Sequence, residues 1–324
     1  MRAFLAFFEP FILMLLGTVL LASLLPPRGA FVGVFGTIAD AAIVLLFFLH
    51  GAKLSREAII EGVRRWRLHG ATFLVTYGLF PLIGLAVAAL HVVDGALATG
   101  IVFLTLLPST VQSSIAFTAM ARGNVAAAVC GASFSNLAGI FLVPLLVAAV
   151  IHTTGSAGSS WAAAETIVLQ LLVPFIAGHL LRPVIGGFVG RHKQLMTVVD
   201  RGSILLVVYT AFGAAVVEGL WQRISGPDLA IVAVVCAVIL AIVMAASWGL
   251  GKALGFARAD RIVLLFCGSK KSLASGVPMA GVLFPAALVG TIILPLMLFH
   301  QIQLITCAVI ARRLGEEATA DAEG

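Results

Sequence analysis

Long apolar stretches separated by short polar segments make up most of this chain. Stretches long enough to cross about 30 Å of hydrocarbon as helices occur at 4–25, 31–50, 70–90, 97–121, 124–151, 165–186, 202–220, 228–250, 260–282 and 286–310. The first is predicted to be a spanning helix rather than a secretion signal, because Pro26 and Pro27 stand where a cleavage site would be expected. The pattern predicts an all-α polytopic membrane protein with ten transmembrane helices.

The composition excludes a soluble protein. Of the 324 residues, 61% are hydrophobic and 10% are charged, and the mean hydropathy is +1.14. A soluble domain carries about 25% charged residues, so a water-facing surface cannot be built from this chain. Neither an ordinary soluble enzyme nor a nucleic-acid-binding protein is compatible with these values. We expect the chain to lie in a lipid bilayer and to have no nucleic-acid partner.

The net charge of +6 is explained by membrane topology. If both termini are cytoplasmic, 16 of the 20 lysines and arginines fall in cytoplasmic segments, and only Arg28 and Arg223 fall in outer loops. Lysine and arginine accumulate on the cytoplasmic side of membrane proteins. We therefore predict a multi-pass protein of the inner (plasma) membrane with both ends in the cytoplasm.

Three segments between or beyond the spans complete the organisation. Residues 54–69 have one apolar and one basic face and predict an amphipathic helix in the cytoplasmic headgroup region. Residues 153–164 form an outer linker, rich in glycine and serine, between a first repeat at 1–152 and a second at 165–312. Residues 313–324 are small and acidic and predict a disordered cytoplasmic tail.

Polar residues interrupt two of the predicted spans. Span four contains a proline and four hydroxyl side chains between Leu107 and Ser114, and span nine contains a polar cluster between Cys267 and Pro278. The two interruptions lie about 160 residues apart, close to half of the chain. Because five spans per half is an odd number, the second half crosses the membrane in the opposite orientation, which predicts a 5+5 inverted repeat. Paired interrupted helices indicate a binding site near the middle of the membrane.

Two adjacent lysines, Lys270 and Lys271, stand in the second interruption. Each charge near the bilayer centre costs about 2.5–3.5 kcal/mol, so two of them need a reason. Either carbonyl groups at the end of a half-helix bind an ammonium, or a lysine replaces a coupling cation or holds an anionic substrate. Adjacent helical positions point about 100° apart, so we expect the lysines to have different roles. The sequence does not say which of them faces a cavity.

Other polar residues near the middle of spans are candidates for the same site. The predicted binding set is Ser113, Ser114, Ser133, Asn136, Ser269, Lys270, Lys271 and Ser272. Asp40 and His179 are candidates for coupling to protons, although each also has a structural interpretation as a partner of a buried donor or a packing histidine. Four cysteines in apolar runs are expected to be small buried residues. We predict neither a metal site nor a cofactor.

Three stretches, Pro108–Ser114, Ala121–Val125 and Gly268–Gly276, carry a resemblance to a known family. With ten spans in a 5+5 repeat, the chain resembles the bile acid:sodium symporter superfamily over essentially its whole length, and looks most like the SBF-like branch. The resemblance implies that helices four and nine cross at their unwound centres. It also implies a core domain of helices 3–5 and 8–10 that moves against a panel domain of helices 1, 2, 6 and 7.

The sodium ligands of the symporters are matched only in part. A Ser-Asn pair follows the helix-four proline in the family, and Ser113 and Ser114 stand there in this chain, while the match to the helix-five hydroxyls is loose. On helix nine the symporters carry a glutamate and a glutamine, whereas this chain has no acidic residue and has Lys270 and Lys271. Sodium needs oxygen ligands and usually a compensating carboxylate. We therefore expect a tethered ammonium in the place of sodium.

These observations together predict a secondary active transporter that moves a small organic anion by alternating access, independently of sodium and with protons as the candidate coupling ion. Three alternatives keep the same fold: a sodium-coupled organic anion symporter, a cation/proton antiporter, and a sensor that does not transport. A fourth, an intramembrane hydrolase, would use Ser269 or Ser272 with Lys270 or Lys271. A polar helix break explains those serines better, so we predict no enzymatic activity.

Overall fold

The computed structural model describes residues 10–53, 65–151 and 168–323, and their regular structure is entirely helical, with no strand in these ranges. The helices before the middle of the chain are α1 (Pro10–Leu24), α2 (Ala30–Lys53), α3 (Trp66–Leu74), the π-helical turn π1 (Val75–Leu79), α4 (Phe80–Ala89), α5 (Gly95–Leu106), α6 (Gln112–Met120) and α7 (Val125–Val150). Those after it are π2 (Val168–Leu172), α8 (Val173–Arg191), α9 (Lys193–Val217), α10 (Leu220–Arg223), α11 (Gly226–Ala253), α12 (Arg258–Gly268), α13 (Leu273–Leu283) and α14 (Ala286–Glu323). The prediction of an all-α protein is confirmed.

Several helices are long and apolar enough to cross a bilayer. Within the described ranges there are seven: Ala30–Lys53, Trp66–Ala89, Val125–Val150, Val168–Arg191, Lys193–Val217, Gly226–Ala253 and Ala286–Ala318. Leu13–Leu24 and Gly95–Leu106 are apolar but shorter. The chain is thus a multi-pass membrane protein, and the arrangement of ten spans in a 5+5 repeat stays a prediction.

The chain divides into two compact units. The first unit comprises the described residues of Met1–Leu54, His152–Ser225 and Val277–Ile293, and the second those of Ser55–Ile151, Gly226–Gly276 and Leu294–Gly324. The second unit contains both interruptions that the sequence indicated, since α5 ends at Leu106 and α12 ends at Gly268.

Glycines allow α2 and α8 of the first unit to meet backbone to backbone. A Cβ on Gly51 would lie 2.0 Å from the carbonyl oxygen of Phe175, and a Cβ on Gly178 would lie 1.9 Å from that of Phe48. Small residues permit this approach in membranes, where helix association depends on close packing rather than on burial from water. In the same unit, Lys53 of α2 forms an ion pair with Asp200 of α9.

Prolines explain the two π-helical turns. Pro81 and Pro174 each stand second in the helix that follows a π turn, in α4 and α8. Because proline has no N–H group and its ring crowds the preceding turn, one wider turn accommodates it. Such turns leave a backbone carbonyl without its usual donor.

The last helix is longer than predicted. Residues 313–323, expected to be a disordered tail, continue α14 as far as Glu323. Arg312 pairs with Glu316 one turn later, Nε to Oε1 at 2.8 Å, and Arg258 donates a hydrogen bond to the carbonyl of Leu314. Side-chain pairs four residues apart stabilise helices, so the acidic residues extend the helix. The expected linker at 153–164 and most of the expected amphipathic helix at 54–69 lie outside the described residues, and Trp66 to His69 begin α3.

We expect Gly178→Ala to destabilise the protein by about 1–3 kcal/mol, because its Cβ would meet backbone rather than a movable side chain. Gly187→Ala is the matched control in the same helix, since nothing lies within 4 Å of its Cβ position. Alanine there should be neutral or stabilising by up to about 1 kcal/mol. Thermal unfolding in detergent measures both. Equal effects of the two substitutions would contradict the close packing of α2 on α8.

Candidate functional site

The two helix breaks of the second unit touch each other. The backbone between α5 and α6 and the backbone between α12 and α13 are joined by a hydrogen bond from Ser272 N–H to the carbonyl oxygen of Pro108, at 2.8 Å. The first break forms because a residue before proline disfavours the helical conformation, and Leu107 is extended, with φ −72° and ψ 157°. The unwound backbone thus finds partners inside the protein, as it must at membrane depth.

Lys271 is enclosed by backbone carbonyl groups. Its side chain has 0% exposure, and Nζ donates hydrogen bonds to the carbonyl oxygens of Thr76 at 2.8 Å, Thr105 at 2.8 Å and Leu107 at 2.7 Å. An ammonium has three N–H donors, so every donor is used. Nζ also lies 4.1 Å from the ring centroid of Phe80, a favourable position for a cation.

The three carbonyl groups are available because π1 and the end of α5 leave them without helical donors. In π1, Phe80 N–H donates to Val75 instead of Thr76, and the next residue, Pro81, has no N–H to offer. Thr105 and Leu107 lie at the C-terminal end of α5, before and after its last residue, where carbonyls lack partners and carry partial negative charge. Lys271 therefore satisfies backbone groups that would otherwise be buried without a partner.

Lys270 is equally buried but has few partners. Its exposure is 0%, and Nζ donates one hydrogen bond, to Ser113 Oγ at 3.3 Å. The ring centroids of Phe117 and Phe266 lie 4.0 and 5.7 Å from Nζ. Two of its three N–H donors thus have no acceptor among the described residues. In that part of the chain, ion pairs link Lys53, Arg65, Arg258 and Arg312 to carboxylates, but neither lysine of the break has one.

The electrostatic setting of Lys270 favours an anion. Ser113 belongs to the first turn of α6. The N-cap residue of this helix is Val111, whose side chain makes no capping hydrogen bond. The N-terminus of a helix carries partial positive charge and unused N–H groups. The ammonium and the helix end therefore add their fields at one place, and the described residues supply no compensating carboxylate.

Hydroxyl groups connect α6 to α12. Ser113 Oγ donates to Thr110 Oγ1 at 2.8 Å, Thr110 Oγ1 and Ser114 Oγ lie 3.0 Å apart, and Ser114 Oγ donates to the carbonyl of Phe266 at 3.0 Å. Ser114 is fully buried, whereas Ser113 is half-buried. Ser113 is thus the hydroxyl of this network that lies next to Lys270 and partly open.

Asn136 of α7 links the two breaks. Its Nδ2 donates to the carbonyl of Ser109 at 2.7 Å, and its Oδ1 accepts from Ser275 Oγ at 2.8 Å. The neighbouring Ser135 accepts from Ser109 N–H through Oγ at 3.1 Å. Ser272 joins the same network, since its Oγ donates to Ser275 Oγ at 3.1 Å.

Four predicted site residues do not join this arrangement. Ser269 Oγ donates back to Leu265 of its own helix, and half-buried Ser133 has no hydrogen bond to any described residue of the cluster. Asp40 and His179 belong to the first unit. Asp40 is exposed, and His179 is half-buried with Nδ1 lacking a partner among the described residues.

Other residues of the site were not in the predicted set. They are Thr76, Thr105, Leu107, Thr110, Ser135, Phe117, Phe266, Ser275, His300 and Gln303. A signal existed for Gln303, because two polar residues of the tenth span stand three positions apart on one helical face. None existed for the carbonyl groups, since any residue type supplies one.

Within the described residues, neither Ser269 nor Ser272 forms the serine–lysine pair that the hydrolase alternative requires. Lys270 and Lys271 donate to Ser113 and to carbonyl groups, not to Ser269 or Ser272. Groups of three or more histidine, cysteine, aspartate or glutamate side chains that could hold a metal are absent from that part of the chain. All four cysteines are buried, as expected.

Comparison with known proteins identifies the family. Residues 9–316 match the model of the SBF-like CPA transporter family. The chain belongs to this transporter family. As a member, it is a membrane protein in a lipid bilayer that handles a small-molecule substrate, and its family is one of transporters rather than enzymes.

Several proteins similar to this chain are named as symporters or cotransporters. An Escherichia coli protein named "Putative symporter YfeH" is 54% identical over 94% of this chain and 92% of its own length. "Sodium/bile acid cotransporter 7-B" of Xenopus laevis is 26% identical over 85% of this chain and 81% of its own. "Sodium/bile acid cotransporter 7" of Mus musculus is 24% identical, covering 85% and 82%. The resemblance to the bile acid:sodium symporters is confirmed.

We expect opposite effects when the two lysines are replaced by methionine. Lys271→Met should cost about 3 kcal/mol or more, because three buried carbonyl groups lose their donor. Lys270→Met should be neutral or stabilising, because it removes a buried charge that has one hydrogen bond. Thermal unfolding of both variants without added ligand measures this contrast. Similar destabilisation by both substitutions would contradict the division of roles.

Proposed function

We propose that this protein is a secondary active transporter that carries a small organic anion across the inner membrane by alternating access, without sodium, and that Lys270 is the counter-charge of the anion. The observation that carries the proposal is the burial of an ammonium with one hydrogen bond and no carboxylate partner among the described residues. Such a charge is costly in a membrane interior. An anionic substrate bound beside Ser113 would supply the missing charge and accept the unused N–H donors.

Sodium independence is supported by the position of Lys271. Backbone carbonyl oxygens are the groups that replace the hydration shell of a monovalent cation in membrane proteins. Three of them already hold the Lys271 ammonium, so a tethered cation occupies a site that could otherwise take a mobile one. The loss of the acidic residue expected on helix nine in the symporters agrees with this replacement.

The architecture proposed for transport is the ten-helix 5+5 inverted repeat with both termini in the cytoplasm. The first unit would correspond to the panel domain and the second to the core domain that moves in alternating access. Protons are the candidate coupling ion, through deprotonation of Lys270 or through Asp40 or His179. The site residues we propose for the anion are Ser113, Ser114, Asn136, Lys270 and Ser272.

A cation/proton antiporter is the second candidate, and one observation favours it. Asp40 is exposed near the middle of α2, a 24-residue apolar helix, and has no ion pair with any described residue. A carboxylate at membrane depth usually marks an ion pathway. An antiporter would exchange protons for sodium or potassium with no organic ligand, which distinguishes it from an anion carrier.

The first test measures stabilisation by ligand. Purified protein in choline buffer is titrated with acetate, hexanoate, benzoate and succinate, and a bound ligand at 100 times its dissociation constant should add about 2.7 kcal/mol to the free energy of unfolding. At least one carboxylate should stabilise the wild type and fail to stabilise Lys270→Met, and sodium in place of choline should have no effect. Stabilisation by sodium alone would contradict sodium independence.

The second test measures uptake into proteoliposomes free of sodium. The radiolabelled form of the stabilising carboxylate should accumulate with wild-type protein and not with Lys270→Met. Binding without uptake would instead support a sensor. Proton flux driven by a sodium or potassium gradient, without the carboxylate, would support the antiporter.

The tethered cation can be tested by chemical rescue. We expect Lys271→Ala to lose about 3 kcal/mol or more and to regain part of that loss in ammonium or methylammonium chloride, compared with choline chloride at equal ionic strength. The small cations can reach the carbonyl groups, whereas choline carries no N–H donor. Lys270→Ala is the control and should show no ammonium-specific gain. Equal responses of the two variants would contradict the binding of the Lys271 ammonium by the three carbonyl groups.

A further inference from the structure

The backbone of Lys271 is held by one side chain of α14. Lys271 N–H donates to Gln303 Oε1 at 2.9 Å, and Gln303 Nε2 donates to the carbonyl oxygen of Lys271 at 3.0 Å. Gln303 has 0% exposure. One amide thus satisfies both backbone groups of a residue that lies between two helices, where no helical partner exists for them.

His300 fixes the orientation of that amide. Gln303 Nε2 carries two hydrogens; one is donated to Lys271, and the other faces His300 Nδ1 at 2.9 Å. Since Nδ1 accepts, the neutral ring carries its proton on Nε2. Turning the amide over would place its N–H₂ group against Lys271 N–H and its oxygen against the Lys271 carbonyl. His300 therefore favours the one orientation that serves the break.

The other break is held by the same device. Ser109 stands 162 positions before Lys271, which is half of the 324 residues. Its N–H is bound by Ser135 Oγ at 3.1 Å and its carbonyl by Asn136 Nδ2 at 2.7 Å. In both breaks, side chains of the following long helix bind the N–H and the C=O of a single residue. The recurrence at corresponding positions indicates a required feature rather than incidental packing.

Lys270 cannot hold its own position. Its single hydrogen bond at 3.3 Å restrains a flexible four-carbon side chain only weakly. The adjacent Lys271 is held by two hydrogen bonds through its backbone and three through Nζ. The location of the Lys270 ammonium beside Ser113 and Phe117 thus depends on the backbone that Gln303 fixes.

We propose that Gln303, oriented by His300, is a positioning residue that holds the helix break so that Lys270 meets the anion beside Ser113. We call the two hydrogen bonds between the Gln303 side chain and the Lys271 backbone the clamp. The positioning role rests on the proposed function of Lys270, whereas the clamp does not. A hydrophobic residue at position 303 would leave the Lys271 N–H and C=O buried without partners, and the break would sample other conformations. An asparagine at position 300 would preserve the clamp, because its side-chain oxygen can accept where Nδ1 accepts now.

Hydrogen–deuterium exchange of the peptide containing residues 268–276 tests the clamp without any ligand. Gln303→Leu should raise exchange at Lys271 N–H about tenfold, since one hydrogen bond of ordinary strength is lost. His300→Asn should retain wild-type protection, and His300→Leu should lose part of it. Gln301→Leu is the matched control, because Gln301 is half-buried on the same helix and makes no hydrogen bond with the described residues. Unchanged exchange in Gln303→Leu would overturn the clamp.

The positioning role is then tested by binding of whichever added carboxylate (acetate, hexanoate, benzoate or succinate) most stabilises the wild type. Its dissociation constant should rise about tenfold in Gln303→Leu and stay unchanged in Gln301→Leu, with His300→Asn restoring what His300→Leu loses. Faster exchange with unchanged affinity would overturn the positioning role. If no carboxylate binds the wild type, the proposed function fails, and the exchange measurement alone still decides the clamp.

Discussion

Two buried ammonium groups, side by side and with no carboxylate partner in the described structure, are the constraint on which the site depends. Each would be costly in a membrane interior, and the second unit treats them differently. Lys271 uses all of its donors on backbone carbonyl groups, whereas Lys270 uses one donor on Ser113. Lys271 therefore binds the backbone of the fold, and the unused donors of Lys270 are the groups that we propose bind an anion.

Helix-breaking residues make this division possible. Pro81 lies just after π1 and Pro108 lies in the break that ends α5, and both places leave backbone carbonyl groups without helical donors. The freed carbonyl groups converge on Lys271, so a lysine replaces backbone N–H groups as the hydrogen-bond donor. The same lysine occupies a cluster of oxygens suited to a monovalent cation. The satisfaction of these carbonyl groups and the proposed sodium independence thus rest on the same three hydrogen bonds.

Much of this arrangement could be predicted from local sequence patterns. Apolar stretches predicted the all-α membrane fold, and the polar residues around Pro108 and Lys270 predicted the helix breaks that form the candidate site. Different roles for Lys270 and Lys271 were expected, but which lysine has which role could not be predicted, because it depends on carbonyl groups of Thr76 and Thr105, which no side-chain pattern reveals. The spacing of Gln303 from His300 showed that both lie on one helical face, but not that Gln303 binds the backbone of Lys271.

Other differences have equally local causes. Ser269 was expected in the site, but a serine at the end of a helix can bond back to its own turn, and it does so with Leu265. The acidic tail was expected to be disordered, yet the pair formed by Arg312 and Glu316 continues the helix. In both places a local interaction that the sequence pattern did not reveal, the hydrogen bond of Ser269 or the ion pair of Glu316, determined the structure.

Crystals soaked in bromide or in a bromo-substituted benzoate would test the central claim most directly, through the anomalous signal of bromine. We predict an anomalous peak for the wild type beside Lys270 Nζ and Ser113, and its loss in Lys270→Met. No peak is expected at Lys271, whose donors are occupied. A peak at Lys271, or one beside residue 270 that persists in Lys270→Met, would contradict the assignment of the anion to Lys270.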